Sequence, residues 1–192
     1  MIKLINQEII DGLIKRATEG VRRRSNYNLH PVPEDPVQRL LVAAKLDTYF
    51  RPHLHETKWE CAVVLQGAFD VFIFDDVGVI TQKIRLGKSR DALGFEIAAR
   101  VWHGWLPVEE DGVFFEVKQG PYDPSRGTTF ASWAPPEGDA AAPAFLARLR
   151  SAKVGDRMGG QGRIHAAPTA KRVLRRTGRN GPPTSGDPAS TA

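Results

Sequence analysis

The chain has 192 residues, of which 41% are hydrophobic and 26% charged, with one cysteine and a formal net charge of +5. This suffices for one domain with a sizeable core, and a lone Cys61 excludes an intramolecular disulfide framework and suits a reducing, cytoplasmic setting. No apolar run approaches the roughly 20 residues needed to span a bilayer, so no membrane partner is expected.

Residues 1–21 read as an N-terminal helical extension. Ile2, Leu4, Ile5, Ile9, Ile10, Leu13 and Ile14 recur near helical spacing, with Gly20 as a stop. The acids within this pattern, and the lack of a small-residue cleavage site, argue against a signal peptide. Prolines 31, 33 and 36 then punctuate an extended segment and a loop. VQRLLVAAKL fits helix or strand by period alone, and the strand-like TYFRPHLH after it favours strand. From there to about residue 120 the signals are antiparallel: β-branched and aromatic runs with turns at Gln66 and Gly67, at Asp75 to Gly78, and at the acidic EEDG. Six to nine short strands at hairpin spacing predict an all-β fold, a small antiparallel β-barrel or jelly roll, over residues 22–150. After Pro121 the chain is irregular, and AAAPAFLARLR makes a short C-terminal helix.

Residues 151–192 shift to Gly, Pro, Ser, Thr, Ala and Arg. Such a composition buries too little to offset chain entropy, so a disordered basic tail is expected. From Ser151 onward there are eight Lys+Arg and two Asp+Glu, which leaves 19 basic and 20 acidic residues in the first 150. The predicted barrel is therefore near neutral. A nucleic-acid-associated role through the tail is the weaker alternative, because phosphate contacts need clustered cations on the folded surface.

PHLHETKWECAVVLQG carries the chemistry. Two histidines one residue apart, His53 and His55, share a strand face by the two-residue alternation. Glu60 follows a turn that resets the parity and starts the next strand; facing inward, it would bring Ala62, Val64 and Gln66 in with it. His103, in VWHGWLP, is a fourth candidate ligand, with Trp102 and Trp105 shielding it. Two His and a carboxylate form a facial metal site with open positions, and a third His tightens it. The bland reading is a set of ordinary barrel residues.

The run from His53 through Glu60 to Gly67 resembles the first cupin motif, with Asp47 where that motif begins with glycine. The second motif is degraded: Ala98 and Arg100 replace the proline and glycine of its turn, Pro107 replaces its asparagine, and His103 remains. RRRSNYNLHPVPEDPVQRLLVAA, YFRPHLHETKWE, VWHGW and FFEVKQGPYDP…FASWAPPEG, in that order over roughly residues 22–150, are similar to the WbuC-type cupin-fold metalloproteins. The resemblance implies a cupin jelly roll with a divalent transition metal (Fe, Mn, Zn or Ni) on His53, His55, Glu60 and His103. It also implies a link to surface-polysaccharide biosynthesis and, by family analogy, a homodimer. The expected partner is a small polar or sugar-derived metabolite. A redox-active ion would support a metal-dependent dioxygenase; an inert one would support Lewis-acid chemistry such as isomerisation. A non-catalytic cupin that binds metal or a small ligand is the alternative.

Other residues offer contacts to such a ligand. Asn26, Asn28 and His30 alternate on one face with Arg24, either lining the barrel mouth or satisfying loop backbone groups. Arg51 and Lys58 flank the histidine pair, as anion contacts or as solvated strand-end charge. Glu116 and Lys118 share a face with Phe114, reaching the cavity or pairing at the surface. Gln38 and Arg39 follow the proline loop, and Tyr122 sits in the GPYDP turn, where packing is its simpler role.

Overall fold

The computed structural model describes residues 2–123 and 127–160. Helix α1 spans Gln7–Glu19, and the Asn6 side chain caps it by accepting from the Ile9 N–H. This cap, the donor-satisfying kind favoured at helix starts, begins the helix later than the apolar pattern suggested. Ile2, Leu4 and Ile5 precede it and are exposed. Gly20 closes it, as expected.

Among the described residues eight strands follow: β1 (Arg24–Asn28), β2 (Val37–Ala44), β3 (His53–Leu54), β4 (Glu60–Phe74), β5 (Ile80–Gly87), β6 (Gly94–Ile97), β7 (Trp102–Gln119) and β8 (Thr129–Phe130). Helix α2, Ala142–Ser151, comes last. All strand pairings named are antiparallel. The long strands β4 and β7 run beside each other through both halves of a jelly roll. One half adds β6 beside β4, and β2 then β1 beside β7. The other adds β5 beside β4, and β3 then β8 beside β7.

Two expected turns are bends inside these long strands. Gln66 pairs with Val113 and Ala68 with Val108, so residues 109–112 bulge from β7 opposite Gly67. Gly67 has φ 74°, and a Cβ there would lie 2.9 Å from the Asp111 carbonyl oxygen, so glycine is required. Asp111 anchors the bulge by pairing with Lys45 and accepting the Leu46 N–H at 2.9 Å. By contrast, the Asp75 turn is a true hairpin: its Oδ1 accepts the N–H groups of Val77 (3.0 Å) and Val79 (2.8 Å).

The bulge reverses side-chain parity, as an unpaired insertion must. Before it, Ala62 and Val64 of β4 face the barrel interior; after it, Phe69 and Val71 do, packed with Trp105, Phe114, Val42 and Ile97. Ala68, Phe72 and Phe74 are thereby turned outward, where Phe145, Leu146 and Leu149 of α2 cover them. Helix α1 lays Ile10, Leu13 and Ala17 on Leu41, Ala43 and Val113 of the other half.

The packed chain continues past the expected start of the tail. Ala152 and Met158 are buried in the outer cluster under α2, and the Ile80 N–H donates to the Asp156 carbonyl at 2.9 Å. Ser151 ends a helix, so residues 151–160 belong to the fold, held by one methionine and backbone bonds that composition does not display. The remainder of the expected tail, 161–192, lies outside the described residues.

Candidate metal centre and barrel cavity

Strand β3 is short because it only needs to lay His53 directly across from His103 on β7. His55 follows it immediately, and Glu60 opens β4 facing inward. One ligand atom from each of His53, His55, Glu60 and His103 lies within 4.8 Å of all the others. The His53 and His103 rings are 4.4 Å apart between centroids, and His53 and His55 5.2 Å.

Each imidazole is oriented by a backbone carbonyl. The Nδ1 of His53 bonds Arg51 O at 2.9 Å, that of His103 bonds Val101 O at 2.9 Å, and that of His55 bonds Gly127 O. A carbonyl can only accept, so each Nδ1 carries the hydrogen, and Nε2 is the atom left to face Glu60. His55 Nε2 lies 3.0 Å from one Glu60 oxygen and His103 Nε2 3.8 Å from the other. His103 Nε2 is buried with no hydrogen-bond partner among the described residues.

Burial pushes His53 down to about 3, with His103 adding to the effect and Glu60 opposing it. Burial likewise lowers His103, although Glu60 opposes it. For Glu60, burial alone would raise the carboxyl, but the His55 hydrogen bond and the fields of His103 and Lys118 hold it below the usual carboxylate range. These three groups are thus deprotonated at neutral pH, the state in which they can act as ligands.

Arg100 adopts φ 66°, and its N–H donates to the His55 carbonyl at 2.8 Å, tying the two ligand segments together. An arginine there bears the left-handed strain that glycine avoids. Its salt bridge to Glu56 spans 3.4 Å between two exposed side chains and contributes little. Arg100→Gly is therefore expected to stabilise the protein, by about 0.5–1 kcal/mol after the entropy of glycine is deducted. A rise in the urea midpoint at constant m-value is the readout; a fall would show that the turn is held by the arginine side chain.

The centre opens on a cavity of about 510 Å³ lined by Asn26, Asn28, His30 and Glu116 from the expected set, with Arg24, Gln38, Lys118, Phe50, Trp105, Phe114 and Tyr122. His30 is buried, and its Nδ1 lies 3.1 Å from the Arg39 N–H, so that nitrogen serves the β1–β2 connection. Asn26 donates to Asn28 at 2.8 Å. Arg51 and Lys58 are not part of the lining: Arg51 donates to Ala131 O at 2.8 Å and lies over Phe130, and Lys58 bonds Pro121 O. Both side chains donate to loop carbonyls, which sequence spacing does not reveal. Trp105 walls the site, whereas Trp102 packs on the outer face near Trp133, 6.4 Å between centroids, and donates to Asp76. Alternation separates the two, since residues three apart on a strand face opposite sides. Phe50 carried no signal, being an aromatic in an irregular segment.

A family model described as a domain of unknown function, DUF6016, matches residues 5–86. No curated protein matches the sequence. Solved structures with a similar fold include cupin-superfamily proteins. One is a cupin 2 domain-containing protein from Halorhodospira halophila, 16% identical, TM-score 0.46, covering 69% of this chain and 85% of that one. Another is a cupin superfamily protein from Desulfitobacterium hafniense, 16% identical, TM-score 0.40, covering 50% and 76%. KdgF from Halomonas sp. is 22% identical, TM-score 0.42, covering 53% and 82%.

Proposed function

We propose that the barrel is a metal centre that receives a small polar ligand: His53, His55, Glu60 and His103 hold a divalent transition metal, Fe, Mn, Zn or Ni. The observation that carries this reading is the electron-pair arrangement inside the site. Three imidazoles are each held by a carbonyl at Nδ1, and their Nε2 atoms meet a carboxylate. His55 Nε2 lies 3.0 Å from a Glu60 oxygen, and His103 Nε2 is buried with no hydrogen-bond partner among the described residues. A cation among these atoms gives the His103 nitrogen its partner, and carbonyl-held imidazoles are the usual outer support of a metal ligand.

Such an ion, when bound, supplies either dioxygen activation or Lewis-acid polarisation of a carbonyl, the dioxygenase and isomerase classes. The protein's own residues do the rest. Carbonyls of Arg51, Val101 and Gly127 fix the histidine tautomers, Phe50, Trp105 and Phe114 keep one wall dry, and Asn26 and Asn28 offer amide groups to a hydroxylated ligand. The resemblance to WbuC-type cupins supports a sugar-derived metabolite and a place in surface-polysaccharide biosynthesis.

Metal analysis of the full chain purified from its own host tests the centre. Wild type should carry about one metal per chain, and His53→Ala and Glu60→Ala should each lose it. Unchanged occupancy in both variants rejects the four-ligand site.

A further inference from the structure

Inside the barrel, next to the proposed metal centre, lies an ion pair that the centre does not use. Lys118 Nζ is 2.6 Å from Glu116 Oε1, with side-chain exposures of 23% and 8%. The register places Lys118 directly across from Glu60, and Glu116 across from Ala62, so both rise from the same interior face as the ligand carboxylate. Placing an ammonium and a carboxylate in a barrel interior costs desolvation that one contact rarely repays, and apolar residues fill the neighbouring interior positions at Ala62, Val64 and Phe114.

The other donors lining the cavity have protein partners. Arg24 donates to both Glu137 oxygens, at 2.6 and 2.7 Å, and to Tyr49 O at 3.0 Å. Arg22 is bound to the same carboxylate at 2.9 Å. Gln38 donates to the carbonyls of Pro33 and Asp35. Lys118 differs: an ammonium has three protons to give, and its ion-pair partner among the described residues is Glu116. Burial works against its charge, but Glu116 and Glu60 together hold it above the ordinary lysine value, so it is cationic at neutral pH.

We propose that Lys118 is the acid-recognition residue of the cavity: it anchors a carboxylate or another oxyanion of the ligand whose opposite end reaches the metal, and Glu116 holds the ammonium in place. The ligand class is therefore a small acid with a second, metal-seeking oxygen function. This rests on the metal centre proposed above. With a divalent ion on three neutral imidazoles and one carboxylate, the ion pair adds no net charge and the cavity favours an anion over a neutral molecule.

Monohydroxamates of malonic, succinic and glutaric acids are suitable probes, because the hydroxamate seeks the metal and the far carboxylate tests Lys118. Each is compared with its neutral methyl ester by calorimetric titration of the zinc-loaded full chain. At least one acid should bind about tenfold or more tightly than its ester, as a charge-assisted hydrogen bond provides. Lys118→Met should erase that preference while retaining zinc and ester binding. Glu116→Gln, which releases the ammonium from its competitor, should enlarge it. Equal affinity of acid and ester across the series, or a preference that survives Lys118→Met, overturns the proposal. Absence of zinc and of all hydroxamate binding in wild type would instead refute the metal centre itself.

Discussion

Chelation is expected to lower the melting temperature of the full chain by about 10 °C, and Glu60→Gln to remove that dependence. A ligand that binds only the native state stabilises it by RT ln(1 + [L]/Kd), about 4 kcal/mol at a thousandfold excess over Kd. For a chain of this size each kcal/mol moves the midpoint by about 2–4 °C. Glu60 is the deciding residue because it is the one anion among the four ligands and touches two of the others, 3.0 Å from His55 and 3.8 Å from His103. Glutamine keeps the volume and one acceptor oxygen but loses the charge that draws a dication. Loss of an outer-shell partner alone costs about 10–100-fold in metal affinity, so losing this ligand should exceed that. The measurement is a thermal melt of each protein with excess zinc and with chelator. A wild type that melts at the same temperature under both conditions would show that the cluster is a neutral hydrogen-bonded core.

Much of the site was legible because its signals are local. Two histidines around Leu54, a carboxylate five residues on, and the alternation of Ala62 and Val64 behind it follow from strand geometry alone, and burial along β4 agrees at Glu60, Ala62 and Val64. For Asn26, Asn28 and Glu116 the same period of two left cavity, loop and surface roles open, and all three border the cavity. His103 was found by residue type, and the turn before it carries Arg100 in the left-handed conformation, which is strained for arginine but not forbidden.

What escaped depends on contacts distant in sequence. Residues 66–67 and 109–112 carry turn chemistry, yet each lies within a strand, because the two meet as a bulge and the bend is shared. Neither segment announces the other. That same bulge is why His103 and Glu116, an odd and an even position of one strand, both face the interior. Any parity argument carried along β7 from Phe114 would have turned His103 outward. Arg51 and Lys58 failed for a related reason: their partners, Ala131 and Pro121, are carbonyls in irregular chain. The packing of residues 151–160 is a third instance, fixed by the pocket that Met158 finds under α2 rather than by local composition.

Acid should destabilise the chelated protein well above the usual carboxylate range, and His53 should be the cause. Its folded pKa, pushed down to about 3, lies below the ordinary imidazole value of 6.5 because burial disfavours the imidazolium. Below pH 6.5 the unfolded chain therefore binds a proton that the native protein refuses, so stability falls as pH falls, from about 6.5 down to about 3. His103, lowered by the same burial, acts in the same direction. Glu60 contributes in the opposite chemical sense but with the same outcome: its carboxyl is held low in the fold, so stability present above the unfolded value of 4.5 is lost on further acidification. At up to about 1.4 kcal/mol per pH unit for one refused proton, and with the unfolded imidazole half-protonated at pH 6.5, His53 alone accounts for about 2 kcal/mol between pH 6.5 and 4.5. His53→Gln removes that share, so its chelated stability should decline less steeply over this interval than that of wild type. Urea midpoints taken every half pH unit would resolve the difference. Parallel profiles for the two proteins would mean that His53 protonates freely in the fold, and that its imidazole is not held neutral at Nε2 for a metal.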